Sequence, residues 1–200
     1  MKRILTVLLA VIMTLSLVAC GGGAGNGGNG GNGGNGGTPD VKNPDYNVAE
    51  LLLSVFDQMG FAAVNANEEI HEGIFPDYFV FEEKVSEDSL TLGHFITSKD
   101  KVLDDAASAM GMMMPPRKDV GIVRAKNISD VEDLKAEIAE NLKKEPWTCA
   151  PPSLLYVVNS GDYILFVATT TTEFCDLLVE AFESKMTVPL GESISIDFAL

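Results

Sequence analysis

Residues Gly21 to Gly37 read GGGAGNGGNGGNGGNGG, with glycine at twelve of the seventeen positions. No folded core can be drawn from this tract. It has almost no apolar surface to bury, and glycine loses more backbone entropy on ordering than any other residue. Glycine recurs at every third position over part of it, but proline is missing and the tract is short, which excludes collagen. The Asn-Gly steps would suit hairpin turns, yet no strand-forming residues flank them. The tract therefore reads as a spacer. Counted from Gly21 to Asn43, the tether has 23 residues, and its random-coil end-to-end distance is about 25–30 Å. The folded part is expected from Pro44 to Leu200, a stretch of 157 residues. That length predicts one domain with a real core. No second low-complexity break and no internal repeat interrupts it.

The chain opens on the basic start Met1-Lys2-Arg3. An apolar run follows from Ile4 to Ala19, broken only by Thr6, Thr14 and Ser16. It falls short of the roughly 20 residues that span a bilayer core. A charged head, an apolar middle and a small residue before the break make the layout of an export signal. Its last four residues, Leu17-Val18-Ala19-Cys20, closely resemble the bacterial lipobox. The resemblance implies a thioether-linked diacylglycerol on Cys20 and cleavage between Ala19 and Cys20. Residues 1–19 would then be a signal peptide, and 20–43 the lipidated cysteine and tether. Two or more acyl chains on one cysteine anchor stably, where a single chain is marginal. The expected address is the outer face of the cytoplasmic membrane. The alternatives are an ordinary secretory signal with an incidental cysteine, or an uncleaved anchor helix. The polar stretch directly after Cys20 suits cleavage there better than either.

Formal charge is -15 for the whole sequence. Without Lys2 and Arg3, 12 basic residues stand against 29 acidic ones, a net charge near -17. Such a domain is repelled by anionic surfaces. This argues against nucleic acid and against a second, electrostatic contact with the membrane. Solubility is the plain reading of the acidity.

Apolar periodicity lays out the rest. Val48, Leu51, Leu52, Val55 and Met59 make a helical stripe, with Asn47 and Glu50 as a capping box and Gly60 as a stop. Residues 65–89 are strongly acidic, with a short strand expected at Tyr78 to Phe81. Leu90, Leu92, His94 and Ile96 alternate and predict a strand, and Lys99 to Met110 a helix. Val120 to Lys126 reads as a strand. Ser129 with Glu132 predicts a capped helix carrying Val131, Leu134, Ile138 and Leu142. Leu154 to Val158 and Tyr163 to Ala168 flank the turn Asn159-Ser160-Gly161-Asp162, which predicts an antiparallel hairpin of central strands. Thr170 with Glu173 opens a last helix, predicted to bury Phe174, Leu177, Leu178, Ala181 and Phe182. Ile194, Ile196, Phe198 and Leu200 alternate with Ser193, Ser195 and Asp197 in a final strand. The expected fold is α+β: a small, mainly antiparallel sheet packed against three to four helices.

Three segments carry a family likeness: MMMPPRKDVGIVRAKN, DVEDLKAEIAENLKK and LLYVVNSGDYILFVATTTTEFCDLLVEAF. From Met112 to Phe182 the chain resembles an uncharacterised domain family of anchored lipoproteins in Firmicutes, mostly clostridia. The helix from Val48 to Gly60 matches the start of that family. The tail after Lys185 and the Cys149, Pro151, Pro152 segment depart from its pattern. The resemblance implies a single anchored domain and transfers no catalytic or binding residue.

Few side chains suggest chemistry. With Cys20 committed to lipid, Cys149 and Cys175 remain as an even pair in an extracytoplasmic domain. They make either a disulfide or, at Cys175, a buried thiol. His71 and His94 are the only histidines. HExxH and CxxC are both absent, so no zinc site is indicated. Met110, Met112, Met113 and Met114 suit core or lid packing, with a hydrophobic contact surface at Met112, Met113 and Met114 as the functional alternative. Thioether ligation of Cu(I) is the remoter one. Ser98-Lys99-Asp100-Lys101 fits a loose S-x-x-K pattern, but its companion motifs are missing and the match reads as chance. The acidic stretch lacks EF-hand spacing and allows only loose calcium association. Asn127-Ile128-Ser129 fits a glycosylation sequon and reads as a helix cap. No cofactor is indicated.

The leading expectation is a non-enzymatic, membrane-anchored lipoprotein. It would bind an envelope protein or peptide, since tethering raises effective concentration. The rivals are a cell-envelope hydrolase and a solute-capture lipoprotein.

Overall fold

The computed structural model describes residues 42–68, 75–85, 95–111, 119–145 and 151–198. Helix α1 spans Val48–Gln58. Its start is fixed by Asn47, whose Oδ1 accepts the Glu50 amide at 2.9 Å and so satisfies one of the orphan donors of a helix N-terminus. It stops before Gly60, which takes φ +80°, a conformation only glycine adopts freely. Helices α2 (Val131–Lys144) and α3 (Thr172–Lys185) follow later in the chain.

Seven strands form one sheet: β1 (Ala63–Asn65), β2 (Tyr78–Lys84), β3 (Val102–Gly111), β4 (Asp119–Ala125), β5 (Leu154–Ser160), β6 (Tyr163–Thr169) and β7 (Ile194–Asp197). Their order across the sheet is β1-β2-β3-β4-β6-β5-β7. Only β1 and β2 run parallel; every other neighbouring pair is antiparallel.

The layering follows from β6, where successive side chains point to opposite faces. Tyr163, Leu165 and Val167 share a core with α1 and α3, whereas Ile164, Phe166 and Ala168 share one with α2. The continuous apolar run of β6 is therefore explained by helices on both faces of the sheet. The result is a single small α+β domain with three helices on a mostly antiparallel sheet. No helix among the described residues is long and apolar enough to cross a membrane.

The hairpin, α1, the strand from Val120 and the final strand form as their patterns predict. The segment predicted as a helix from Lys99 to Met110 does not. Lys99–Lys101 is a single 3-10 turn and Val102–Gly111 is β3. Ala106, Ala107 and Ala109 favour a helix intrinsically, but β2 and β4 supply ladder partners on both sides. The small side chains of Ala107 and Ala109 fit between sheet and helix on the α1 face, and Ala106 is buried on the α2 face. Tertiary pairing overrides the propensity. Of the strand predicted around Leu90 to Ile96, only Phe95 and Ile96 are described; they lie in a turn and loop and are buried in the α2 core.

Two predicted caps are also replaced. A 3-10 turn at Ile128–Asp130 leads into α2, and Glu132 turns to Lys135 instead of back to Ser129. Helix α3 begins after Thr171, with no side-chain cap, and Leu177 is 48% exposed while Cys175 takes a place on its buried face.

Candidate functional site

The first described residues are sewn into one end of the sheet. Asn43 Nδ2 donates to the Ser160 carbonyl at 2.8 Å, and its Oδ1 accepts the Thr187 and Val188 amides at 2.9 Å each. Tyr163 donates its hydroxyl hydrogen to the Pro44 carbonyl and accepts the Tyr46 amide. Arg124 bridges Asp45 and Asp162 and lies 4.5 Å over the Tyr163 ring. Asn43, counted with the tether above, thus belongs to the fold. A pocket of about 600 Å³ opens here, lined among others by Lys42, Arg124, Lys126 and Asn159. Its polar groups are largely spent on holding residues 42–46. Asn159 Oδ1 accepts the ammonium of Lys135, and Arg124 has two carboxylate partners.

The other end of the same strands is built differently. Helix α3 packs over β5 and β6, and the polar face of β7 lies beyond it. Tyr156 pairs with Ser195 and Leu154 with Asp197 across the β5–β7 ladder. Thr172, Cys175 and Asp176 stand at i, i+3 and i+4 on α3 and so share one helix face. Together these residues, with Ser153 and Thr170, line a groove of about 530 Å³. Leu154 and Cys175 supply apolar surface, Tyr156 an aromatic ring, and Asp176 and Asp197 carboxylates. Thr170 Oγ1 is buried with no hydrogen-bond partner. The hydroxyls of Ser153, Tyr156, Thr172 and Ser195 join none of the hydrogen bonds among the described residues. Thr172 and Ser195 are exposed, but Ser153 and Tyr156 are half-buried, and buried or half-buried hydroxyls elsewhere are mostly spent, as at Ser54, Ser160 and Tyr163. Uncommitted hydrogen-bonding groups converging on one concavity mark a binding site.

Among the described residues, no histidine, lysine or arginine lines the groove. Burial, reinforced by the Asp176 charge, pushes the Cys175 thiol up to about 11. It is a free, protonated thiol at neutral pH and a poor nucleophile. Cys149, whose bridge to Cys175 is one of the two readings of these cysteines, lies outside the described residues, as do Cys20, His71, His94, Met112, Met113 and Met114. Met110, at the end of β3, is 49% exposed. Among the described residues, no three His, Cys, Asp or Glu side chains are placed to hold a metal ion.

Ser98 and Lys101 do not face one another as a nucleophile and base would. Lys101 pairs with Asp133 at 3.2 Å. Glu137 accepts hydrogen bonds from the amides and hydroxyls of both Thr97 and Ser98. Burial alone would raise the Glu137 pKa, but these donors outweigh it and hold the carboxyl below its ordinary 4.5. A carboxyl whose pKa falls on folding adds stability that is complete above the ordinary value and lost as pH drops through the folded one. Glu137→Gln is expected to lower Tm at neutral pH and to match the parent protein in strong acid. Equal deficits at both pH values in thermal melts would contradict this latch.

Sequence reasoning set Ser195 and Asp197 on the polar side of the last strand without seeing the groove. Tyr156, Ser153 and Thr172 were missed. The run Thr169-Thr170-Thr171-Thr172 was the available signal, but its partners lie on β5 and β7, which only the sheet order brings alongside. No family model, curated protein or solved structure significantly matches the chain.

Proposed function

We propose that the protein is a lipid-anchored, extracytoplasmic binding module with no catalytic role, whose binding surface is the α3–β5–β7 groove. The observation that carries this is the convergence of the half-buried Ser153 and Tyr156 and the unpartnered Thr170 Oγ1 on that groove. The lipobox-like Leu17-Val18-Ala19-Cys20 supports that address. The Cys175 thiol, held protonated by burial and by the neighbouring Asp176 charge, favours binding over hydrolysis. At 157 residues from Pro44, the domain is short for a two-lobed solute receptor.

Cys20→Ser tests the anchor. The parent chain should fractionate with membranes and carry an acylated N-terminus at Cys20 by mass spectrometry. The variant should move almost wholly to the aqueous fraction. Recovery of residues Met1 to Ala19 on the mature parent chain would overturn the anchoring.

A further inference from the structure

We infer that the groove between α3 and the β5–β7 edge is a saccharide site, selective for neutral or amino sugars over acidic ones. The inference rests on reading the groove as the binding surface and names its ligand class. A sugar presents many hydroxyls, each both donor and acceptor, and a pyranose ring with a weakly polar C–H face. Ser153, Tyr156, Thr170, Thr172 and Ser195 offer hydroxyls of the same dual character, and Asp176 accepts from sugar hydroxyls or an ammonium. Tyr156 is half-buried beside Leu154, and its ring gives the C–H face a platform. A volume of about 530 Å³ takes a short oligosaccharide segment.

Other ligand classes fit less well. The exposed Asp176 lines the groove, and no lysine or arginine does so among the described residues, so phosphates and uronates meet repulsion. A lipid or an apolar helix needs a broad hydrophobic channel, and here the apolar surface is limited to Leu154, Cys175 and the Tyr156 ring. An inorganic cation needs at least three converging ligands, which the described residues do not supply. Sites built to hydrogen-bond hydroxyls discriminate strongly, because a ligand lacking them leaves buried polar groups unpaired. The unpartnered Thr170 Oγ1 is such a group.

The test is hydrogen exchange, read by mass spectrometry, on the full chain purified in detergent from whole-cell lysate. The probes are cellotriose, a glucosamine trimer, trigalacturonate and penta-alanine. Cellotriose or the glucosamine trimer should slow exchange in residues 153–156, 170–176 and 193–197, while trigalacturonate should not. Tyr156→Ala and Asp176→Asn should each weaken binding by about tenfold, the worth of one good contact or hydrogen bond to a charged group. Asp176 is exposed, so its variant keeps the fold, and unchanged thermal melts would verify this. Protection by penta-alanine alone would keep the groove as a binding surface and overturn the saccharide assignment. Protection elsewhere, or by no saccharide, would also overturn it. The Cys20→Ser fractionation reports separately on anchoring, so the two readings fail independently.

Discussion

Lys135→Ala is expected to lower the unfolding free energy by about 1–3 kcal/mol, the cost of leaving a buried hydrogen-bond acceptor unsatisfied. Lys135 lies on the inner face of α2, and its side chain is fully buried. Its ammonium donates to Asn159 Oδ1 at 2.9 Å, to Glu132 Oε1 at 2.8 Å and to the Glu192 carbonyl. One side chain thus joins α2, β5 and the segment leading into β7. The three acceptors are not equivalent. The Glu132 side chain is 71% exposed, so water replaces the lysine there, and Glu132→Ala should cost under about 1 kcal/mol. Asn159 is buried, and its carbonyl would be left without a donor, which is the expensive outcome. Lys135→Met separates the contributions, because it keeps the volume of the apolar stem and loses the ammonium. It should recover part of the deficit and no more. Urea unfolding reads the effect as a lower midpoint at unchanged slope. A deficit below about 1 kcal/mol for Lys135→Ala would show that the network contributes little.

Gly121→Val is expected to destabilise the domain by about 3 kcal/mol, at the upper end of overpacking costs. Gly121 on β4 pairs with Phe166 on β6. A Cβ at this glycine would meet the Phe166 ring at 2.2 Å. The ring fills the space the missing side chain leaves and also packs edge-on against Phe95, with centroids 5.9 Å apart. Valine would drive it from both contacts. The cause can be isolated by a double-mutant cycle. Phe166→Leu alone should destabilise, yet in a Gly121→Ala background it should restore part of what the alanine costs. Additive effects in the cycle would mean that Gly121 serves some purpose other than seating this ring.

These two positions show where the sequence speaks clearly and where it stops. Local signals were sufficient for α1, with its Asn47 cap and Gly60 stop, and for the β5–β6 hairpin about its four-residue turn. In each, the deciding contacts are close along the chain. β3 was misread because its alanines carry a helical preference that only β2 and β4 together overcome. Lys135 gave no signal, since an inward lysine in an amphipathic helix looks like any other until Asn159 and Glu192 arrive opposite it. Gly121 looked like an ordinary strand residue until Phe166 was paired with it. The groove is the extreme case. Thr172, Tyr156 and Ser195 come from three segments, and the β5–β7 ladder that aligns two of them joins residues some 40 apart in sequence.

The run of β5 between tether root and groove also fixes how the domain would carry a mechanical load. A load applied between Ser160 and Leu154 would run lengthwise along one strand. β5 is laddered on both sides, to β6 over residues 154–160 and to β7 over 154–157. Pulled along its axis, such a strand strains its cross-strand hydrogen bonds together in shear, not one after another as in peeling. A load along β5 would therefore meet the sheet along its most resistant direction.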